Sequence, residues 1–227
     1  MTFIAALMLA HGALAADTKF VEGKHYEVRS NQLTKTKEIR EFFSFFCGHC
    51  FSLQDSFARI EKAFPNAVFA HNPVPMLGGP MGPELQRAYA VAANLGMDKI
   101  FTSELFESMH RKNIIPRSHA EVVAFAASIG IPRDRFERDF NSFPMIGKVA
   151  EFDRWDTLIK IDAVPELLVN GKYMVTMENI STEQEMIDLI NYLFTLDNLP
   201  DAPKAKVSHK DDSTKSATGA TSAAPAA

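Results

Sequence analysis

Residues 38–50 read EIREFFSFFCGHC, an apolar run that stops at a Cys-x-x-Cys motif. The near-continuous apolar character from Ile39 to Phe46 predicts a central strand that is buried on both faces. From Phe51 the apolar residues recur at steps of three and four, which predicts a helix that runs to Phe64 and is stopped by Pro65. The motif therefore lies at a strand-to-helix junction, on the first turn of the helix.

The chain has two cysteines, Cys47 and Cys50, and both belong to this motif. A disulfide between them closes a loop too short to restrain much of the unfolded chain, so stability does not explain the pair. We expect the pair to serve redox chemistry. Two other interpretations stay open: an inert structural disulfide, and a zinc site completed by His49, His71 or carboxylates.

The N-terminus has the pattern of an export signal. Residues 2–14 are almost wholly apolar, and Ala13-Leu14-Ala15 has the small–x–small pattern of a signal peptidase site, although no Lys or Arg precedes the run. The run is too short to span a bilayer, which takes about 20 residues. We expect cleavage near Ala15 or Ala16, which makes residues 1–16 a signal peptide and brings the mature protein into an oxidising compartment.

The remaining segments predict the architecture. Strand patterns at 25–29, 38–46 and 67–74 precede a helical block, whose last helix is expected from Gly147 to Ile159 after a break at Pro144. Two further strands joined by a tight turn at Asn170-Gly171 precede a last helix, 185–196. The order β–β–α–β, helices, β–β–α predicts an α/β protein: a thioredoxin fold with an inserted helical domain.

The predicted domain boundaries follow from this order. Residues 17–78 and 151–199 form the two parts of the thioredoxin-like domain, residues 79–150 form the inserted helical domain, and residues 200–227 form a disordered low-complexity tail. The net charge is −4 and no dense Lys/Arg stripe is present, so nucleic acid is not expected as a partner.

The position of Cys47 suits a nucleophile in thiol–disulfide exchange. A thiolate is the attacking species, and backbone N–H groups at a helix start, together with the helix dipole, stabilise it. His49, inside the loop, can add a hydrogen bond or charge. Cys50 follows one helical turn later and is expected to be less exposed, which suits the resolving thiol.

The segment Glu41 to Cys50 resembles the active site of the DsbA family of bacterial periplasmic thiol–disulfide oxidoreductases, as do Asn141-Ser142-Phe143, Val164-Pro165 and the run from Val169 to Tyr173. The resemblance implies that Cys47 attacks, that Pro165 is cis and faces the disulfide, and that Glu41 is a buried acid able to relay protons. It also implies that an extended substrate binds at Val164, Pro165, Gly48 and His49.

The resemblance further implies a function. The protein is expected to donate the Cys47–Cys50 disulfide to folding exported proteins in the periplasm, as a monomer without metal or other cofactor, and to be reoxidised by a DsbB-like quinone-linked membrane oxidase. Two features depart from the family: Gly-His stands between the cysteines in place of Pro-His, and His71 replaces a lysine near the buried acid. A disulfide isomerase or reductase, and a redox-inactive binding protein on the same fold, stay open as alternatives.

Overall fold

The computed structural model describes residues 19–203, which form a five-stranded mixed sheet with strand order β1-β5-β4-β2-β3 and eight α-helices. The strands are β1 (Tyr26–Val28), β2 (Glu38–Phe43), β3 (Val68–Pro73), β4 (Glu166–Val169) and β5 (Tyr173–Val175). The helices are α1 (Gly48–Ser52), α2 (Gln54–Ala63), α3 (Met81–Asn94), α4 (Asp98–Phe106), α5 (His119–Ser128), α6 (Arg133–Phe140), α7 (Phe143–Ile159) and α8 (Glu183–Thr195). The predicted order of strands and helices is confirmed. Among these residues, no helix is long and apolar enough to cross a membrane.

Strand β2 is the interior strand that leads to the cysteine motif. It pairs in parallel with β3 and antiparallel with β4, so both of its edges are hydrogen-bonded and both of its faces are covered. Ile39 and Phe42 are fully buried in different clusters on opposite faces. The prediction that this strand continues to Phe46 is wrong: a turn follows Phe43, and Cys47 N–H donates to the Ser44 carbonyl at 3.0 Å. Burial of Phe45 among the helices explains its apolar character without a strand.

Helix α7 joins the helical block to the sheet. Met145 and Phe152 pack into the core of the helical block, whereas Trp155 and Ile159 pack against the sheet. The helix is continuous across residue 150, where the sequence-based boundary of the inserted domain lies. It begins at Phe143 rather than at Gly147, because a proline in the first turn of a helix loses no intrahelical hydrogen bond.

The start of the segment predicted to be a disordered tail is hydrogen-bonded to the residues that lead into β2 and β3. The Pro200 carbonyl accepts a hydrogen bond from Lys37 N–H at 2.9 Å, and Ala202 N–H donates to the Asn66 carbonyl at 2.8 Å. Lys37 also forms an ion pair with Asp201. Composition alone does not reveal these contacts, since they use mostly backbone groups. The signal peptide predicted at 1–16 and the tail from residue 204 onward lie outside the described residues.

Candidate active site

Cys47 is the N-cap residue of α1, at the point where the chain leaves the sheet. Its Sγ accepts a hydrogen bond from the backbone N–H of Cys50 at 3.0 Å, one of the donors that a helix start leaves free. Helix α1 has only five residues, and α2 begins after Leu53, so the single long helix predicted from Phe51 is two short ones. The direct N–H contact, more than a long helix dipole, therefore acts on the Cys47 sulfur.

Cys50 is the deeper of the two thiols. Its exposed fraction is 0%, compared with 8% for Cys47, and both are free thiols in this structure. Burial raises the pKa of Cys50 well above its usual range, and the hydrogen bond to Cys47 and the negative charge of Glu41 act in the same direction. Cys50 is therefore the less exposed thiol of the pair, as expected, and it resists ionisation.

A second segment faces the motif across the sheet end. The Val164–Pro165 peptide bond is cis, as the resemblance implies, and the Cys47 thiol donates to the Val164 carbonyl at 3.5 Å. Gly48 and His49 are exposed next to Cys47. The structure therefore brings the predicted substrate-contacting residues to one surface, although they lie far apart in the sequence.

A groove of about 580 Å³ opens beside this surface, and we call it the active-site groove. Its apolar part is formed by residues of the helices, of the sheet and of the loops between them: Leu53, Phe57, Ile60, Val164, Pro165, Met174, Met177 and Met186. Its charged part includes Glu27, Arg29, Glu166, Glu178 and Glu183. Apart from His49, Val164 and Pro165, none of the groove residues is predicted as a site residue from the sequence. They come from several separate strands and helices, so no local pattern identifies them.

Glu41 is buried beneath the motif and is paired with His71. The two residues are directly opposite each other in the β2–β3 register, and Glu41 Oε2 lies 2.9 Å from His71 Nδ1. Burial acts to lower the pKa of His71, but the hydrogen bond and charge of Glu41 outweigh it, so the pKa is raised. A cavity of about 440 Å³, lined by both residues together with Tyr89 and Asp98, connects the pair to the surface.

His110 is a further neighbour of the motif, and it comes from the helical block. A π-helical turn, Glu107–Arg111, follows α4 and directs this imidazole towards the motif. Its Nε2 donates to the Phe45 carbonyl at 2.8 Å, and its ring stacks on Phe51 with 5.2 Å between centroids. The helical block thus contacts both sides of the cysteine loop. The irregular turn is invisible to a periodicity argument, although such turns are frequent at functional sites.

Metal binding was one of the interpretations left open by the motif. Within residues 19–203, no three His, Cys, Asp or Glu side chains lie close enough together to hold a metal ion.

Comparisons with known proteins agree with this geometry. A family model, described as the DSBA-like thioredoxin domain, matches residues 38–187. The Thiol:disulfide interchange protein DsbA of Escherichia coli O6:H1 is 30% identical over 200 residues, which cover 84% of this chain and 95% of that protein. Salmonella typhimurium DsbA is 27% identical over 199 residues, with 84% of this chain and 95% of that protein covered.

Solved structures show the same fold. A Proteus mirabilis DsbA variant in complex with the non-covalently bound peptide PWATCDS is 28% identical, with a TM-score of 0.72 over 78% of this chain and 98% of that chain. The predicted thioredoxin fold with an inserted helical domain is thereby confirmed. Because the family model spans most of the chain and a 30% identical relative is covered almost completely, this chain belongs to the DsbA-like family of thioredoxin-fold thiol–disulfide oxidoreductases.

Proposed function

We propose that the protein is a dithiol oxidase that transfers a Cys47–Cys50 disulfide to folding exported proteins. The observation that carries this proposal is the asymmetry of the pair. Cys47 keeps 8% of its surface exposed, receives the Cys50 N–H and faces Val164, whereas Cys50 is fully buried and resists ionisation. This asymmetry favours attack of a substrate thiolate on Cys47 over attack on Cys50.

The reaction transfers two electrons in two exchange steps. A substrate thiolate attacks Cys47 Sγ, the bond between Cys47 and Cys50 breaks, and Cys50 leaves as a thiolate. The second substrate thiolate then attacks the substrate sulfur of this mixed disulfide, and Cys47 leaves as a thiolate. The substrate dithiol is oxidised to a disulfide, the enzyme disulfide is reduced to a dithiol, and the two substrate protons are passed on to solvent or to the enzyme thiols.

The buried leaving thiolate requires a proton, and the Glu41–His71 pair is the proposed source. Because burial raises the pKa of Cys50, its thiolate takes up a proton as it forms. Glu41 is buried beneath the motif and bonded to His71, whose side chain is 25% exposed at the second cavity. A proton can therefore pass from solvent through His71 and Glu41 towards Cys50.

Substrate binding is assigned to Gly48, His49, Val164 and Pro165, with the active-site groove beside them. The exposed dipeptide and the Val164 carbonyl next to the Cys47 sulfur support this assignment. An extended segment can add its backbone hydrogen bonds there, with its side chains in the groove.

The cellular setting is proposed from the family and from the sequence. The protein acts in the periplasm as a monomer, after removal of the signal peptide near Ala15/Ala16, and is reoxidised by a DsbB-like quinone-linked membrane oxidase. It uses no cofactor beyond its own Cys47–Cys50 disulfide. Relatives named thiol:disulfide interchange proteins support the protein-substrate class.

The first experiment is the equilibrium of the Cys47–Cys50 disulfide with glutathione. Thiol alkylation is the appropriate readout. The fluorescence of Trp155 is less suitable, because this residue lies against the Asn170-Gly171 turn, roughly 15 Å along β4 from Pro165. The reference potentials are about −120 mV for DsbA, an oxidant, and about −270 mV for thioredoxin, a reductant. A reduction potential nearer to the DsbA value supports an oxidase. A potential near the lower value, with efficient reduction or isomerisation of scrambled disulfides, would instead assign a reductase or isomerase.

The second experiment traps the intermediate. Cys50→Ser removes the resolving thiol and leaves Cys47, so a peptide disulfide incubated with this variant should yield a stable Cys47 adduct by mass spectrometry. PWATCDS, the peptide bound by the Proteus mirabilis protein, is a suitable probe when linked to a small leaving thiol. Cys47→Ser is the matched control and should give no adduct; equal adducts with both variants would contradict the assigned roles.

A further inference from the structure

Glu166 is a charged residue at the reactive end of the active-site groove. It follows Pro165 directly and is the first residue of β4. Its side chain lines the groove together with His49 and Val164. A substrate segment bound at Val164 therefore passes this carboxylate.

The Glu166 carboxylate lacks a complete set of partners. Among residues 19–203, its Oε2 atom is buried and accepts no hydrogen bond. The cation that acts on it most strongly, Arg29, is already bonded to Glu27 at 2.8 Å. A buried acceptor without a donor is destabilising, so a donor supplied from outside the chain would be bound favourably.

The surrounding charges reinforce this demand for a cation. Burial raises the pKa of Glu166 to about 7; Arg29 opposes the shift, whereas Asp162, Glu178 and Glu27 add to it. Glu27 and Glu178 line the groove together with Glu166, although they come from separate parts of the chain. A cationic side chain that binds here relieves their mutual repulsion, and an anionic one increases it.

We propose that Glu166 determines substrate specificity by favouring segments that carry lysine or arginine within two residues of the reacting cysteine. This inference rests on the proposed oxidase function. The substrate cysteine reacts beside Val164, because the Val164 carbonyl lies 3.5 Å from Cys47 Sγ, the atom that the substrate attacks. Glu166 follows two residues later, across the cis bond, so its Cα lies at most about 7 Å from that of Val164, which a neighbouring lysine or arginine side chain spans. An arginine can also donate two parallel hydrogen bonds to the carboxylate.

The test compares oxidation of three peptides by the oxidised protein. Each peptide has two cysteines separated by four residues, and each cysteine is flanked by two lysines, two glutamates or two glutamines. Flanking charges also change the reactivity of the peptide thiols. The informative quantity is therefore a quotient of two ratios. Each ratio divides the second-order rate constant for the lysine peptide by that for the glutamate peptide, and the quotient divides the ratio of the wild type by the ratio of the variant, Glu166→Gln.

At pH 8, above the raised pKa of Glu166, we expect this quotient to be about ten or more at low ionic strength and to decrease with added salt. Glu137→Gln makes the same change in net charge at an exposed position of α6 and should give a quotient of one. The inference is overturned if the quotient for Glu166→Gln is no larger than the quotient for Glu137→Gln.

Binding separates this inference from the proposed function. The Cys47→Ser/Cys50→Ser double variant has no redox activity, and its affinity for single-cysteine versions of the lysine and glutamate peptides is measured by calorimetry. A lysine preference that disappears in Glu166→Gln supports the specificity role even if no peptide is oxidised. Oxidation of the glutamine peptide without any binding preference would support the oxidase and overturn the role of Glu166.

Discussion

Asp156 on α7 is a partly buried carboxylate whose replacement by asparagine should stabilise the protein above neutral pH. Its Oδ1 accepts a hydrogen bond from Asn72, a fully buried residue of β3, at 2.7 Å. Burial raises the pKa of Asp156 from 3.8 to about 7, and the nearby charge of Asp153 adds to the shift. Asparagine keeps the Oδ1 acceptor and removes the charge, so Asp156→Asn isolates the cost of the buried carboxylate.

The magnitude follows from the linkage between proton binding and folding. Because the folded-state pKa lies above the unfolded value, the folded protein binds the proton more tightly, and its stability falls as pH rises from 3.8 to about 7. The full shift corresponds to at most about 4 kcal/mol. Partial exposure of Asp156 reduces this value, and we expect Asp156→Asn to gain about 2 kcal/mol at pH 8, or roughly 4–8 °C in Tm.

The assay is urea unfolding at pH 8 and pH 5, followed by the fluorescence of Trp155, which is 4% exposed in the folded protein. At pH 5 the gain should fall to about a third of its value at pH 8, because only that part of the titration range has been crossed. Glu137→Gln, an exposed residue, should change the stability by less than about 0.5 kcal/mol at either pH. A gain that is independent of pH, or a loss at pH 8, would show that the charge of buried Asp156 does not destabilise the protein.

Three further predictions concern other parts of the molecule. Protonated His71 beside Glu41 carries its charge below the ordinary histidine pKa and loses it as pH rises through the raised pKa. His71→Lys keeps a positive charge there and should therefore flatten the pH dependence of peptide oxidation between about pH 6 and 8. Superimposable rate profiles of the wild type and the variant would exclude a relay through His71. Gly82→Ala sets a Cβ 2.3 and 2.4 Å from two carbonyl oxygens and should cost at least about 2 kcal/mol, whereas Gly147→Ala in the open interior of α7 should gain about 0.5–1 kcal/mol; urea unfolding compares the two, and equal effects would contradict the packing argument. Thr182→Ala removes the side chain that caps α8 and should cost about 1 kcal/mol in the same assay, so an unchanged midpoint would show that the cap is dispensable.

Local patterns predicted most of the secondary structure. Strand β2, the Asn170-Gly171 turn and the amphipathic α8 depend on neighbours in the sequence, so their residues carry the signal. The errors arose where tertiary contacts replaced local rules. The rings of Phe45 and Phe46 pack against the core of the helical block rather than extending a strand, and α4 changes to a π-helical turn after Phe106, which hydrophobic periodicity does not indicate.

The candidate site also contains residues that local sequence patterns predicted and residues that only tertiary contacts reveal. The Cys47–Cys50 pair, its helix start and the exposed His49 follow from one contiguous stretch. The roles of Glu41 and Pro165 were inferred from family resemblance, and the register of β2 with β3 and β4 gives their geometric basis. His110 and Glu166 carry no sequence signal, because each becomes informative only through the residues opposite it.

The strand–cysteine–helix junction, the order of the elements and the placing of both cysteines in one motif can be read from the sequence alone, because each depends on residues close together in the chain. The difference in exposure between Cys47 and Cys50, and the groove beside them, arise from the folded structure. Sheet register and the packing of the helical block bring Val164, Glu166 and His110 to Cys47 from segments that lie about 60 to 120 residues away. Side-chain burial, hydrogen-bond partners and local charge at the site depend on those long-range contacts, which hydrophobic periodicity does not encode.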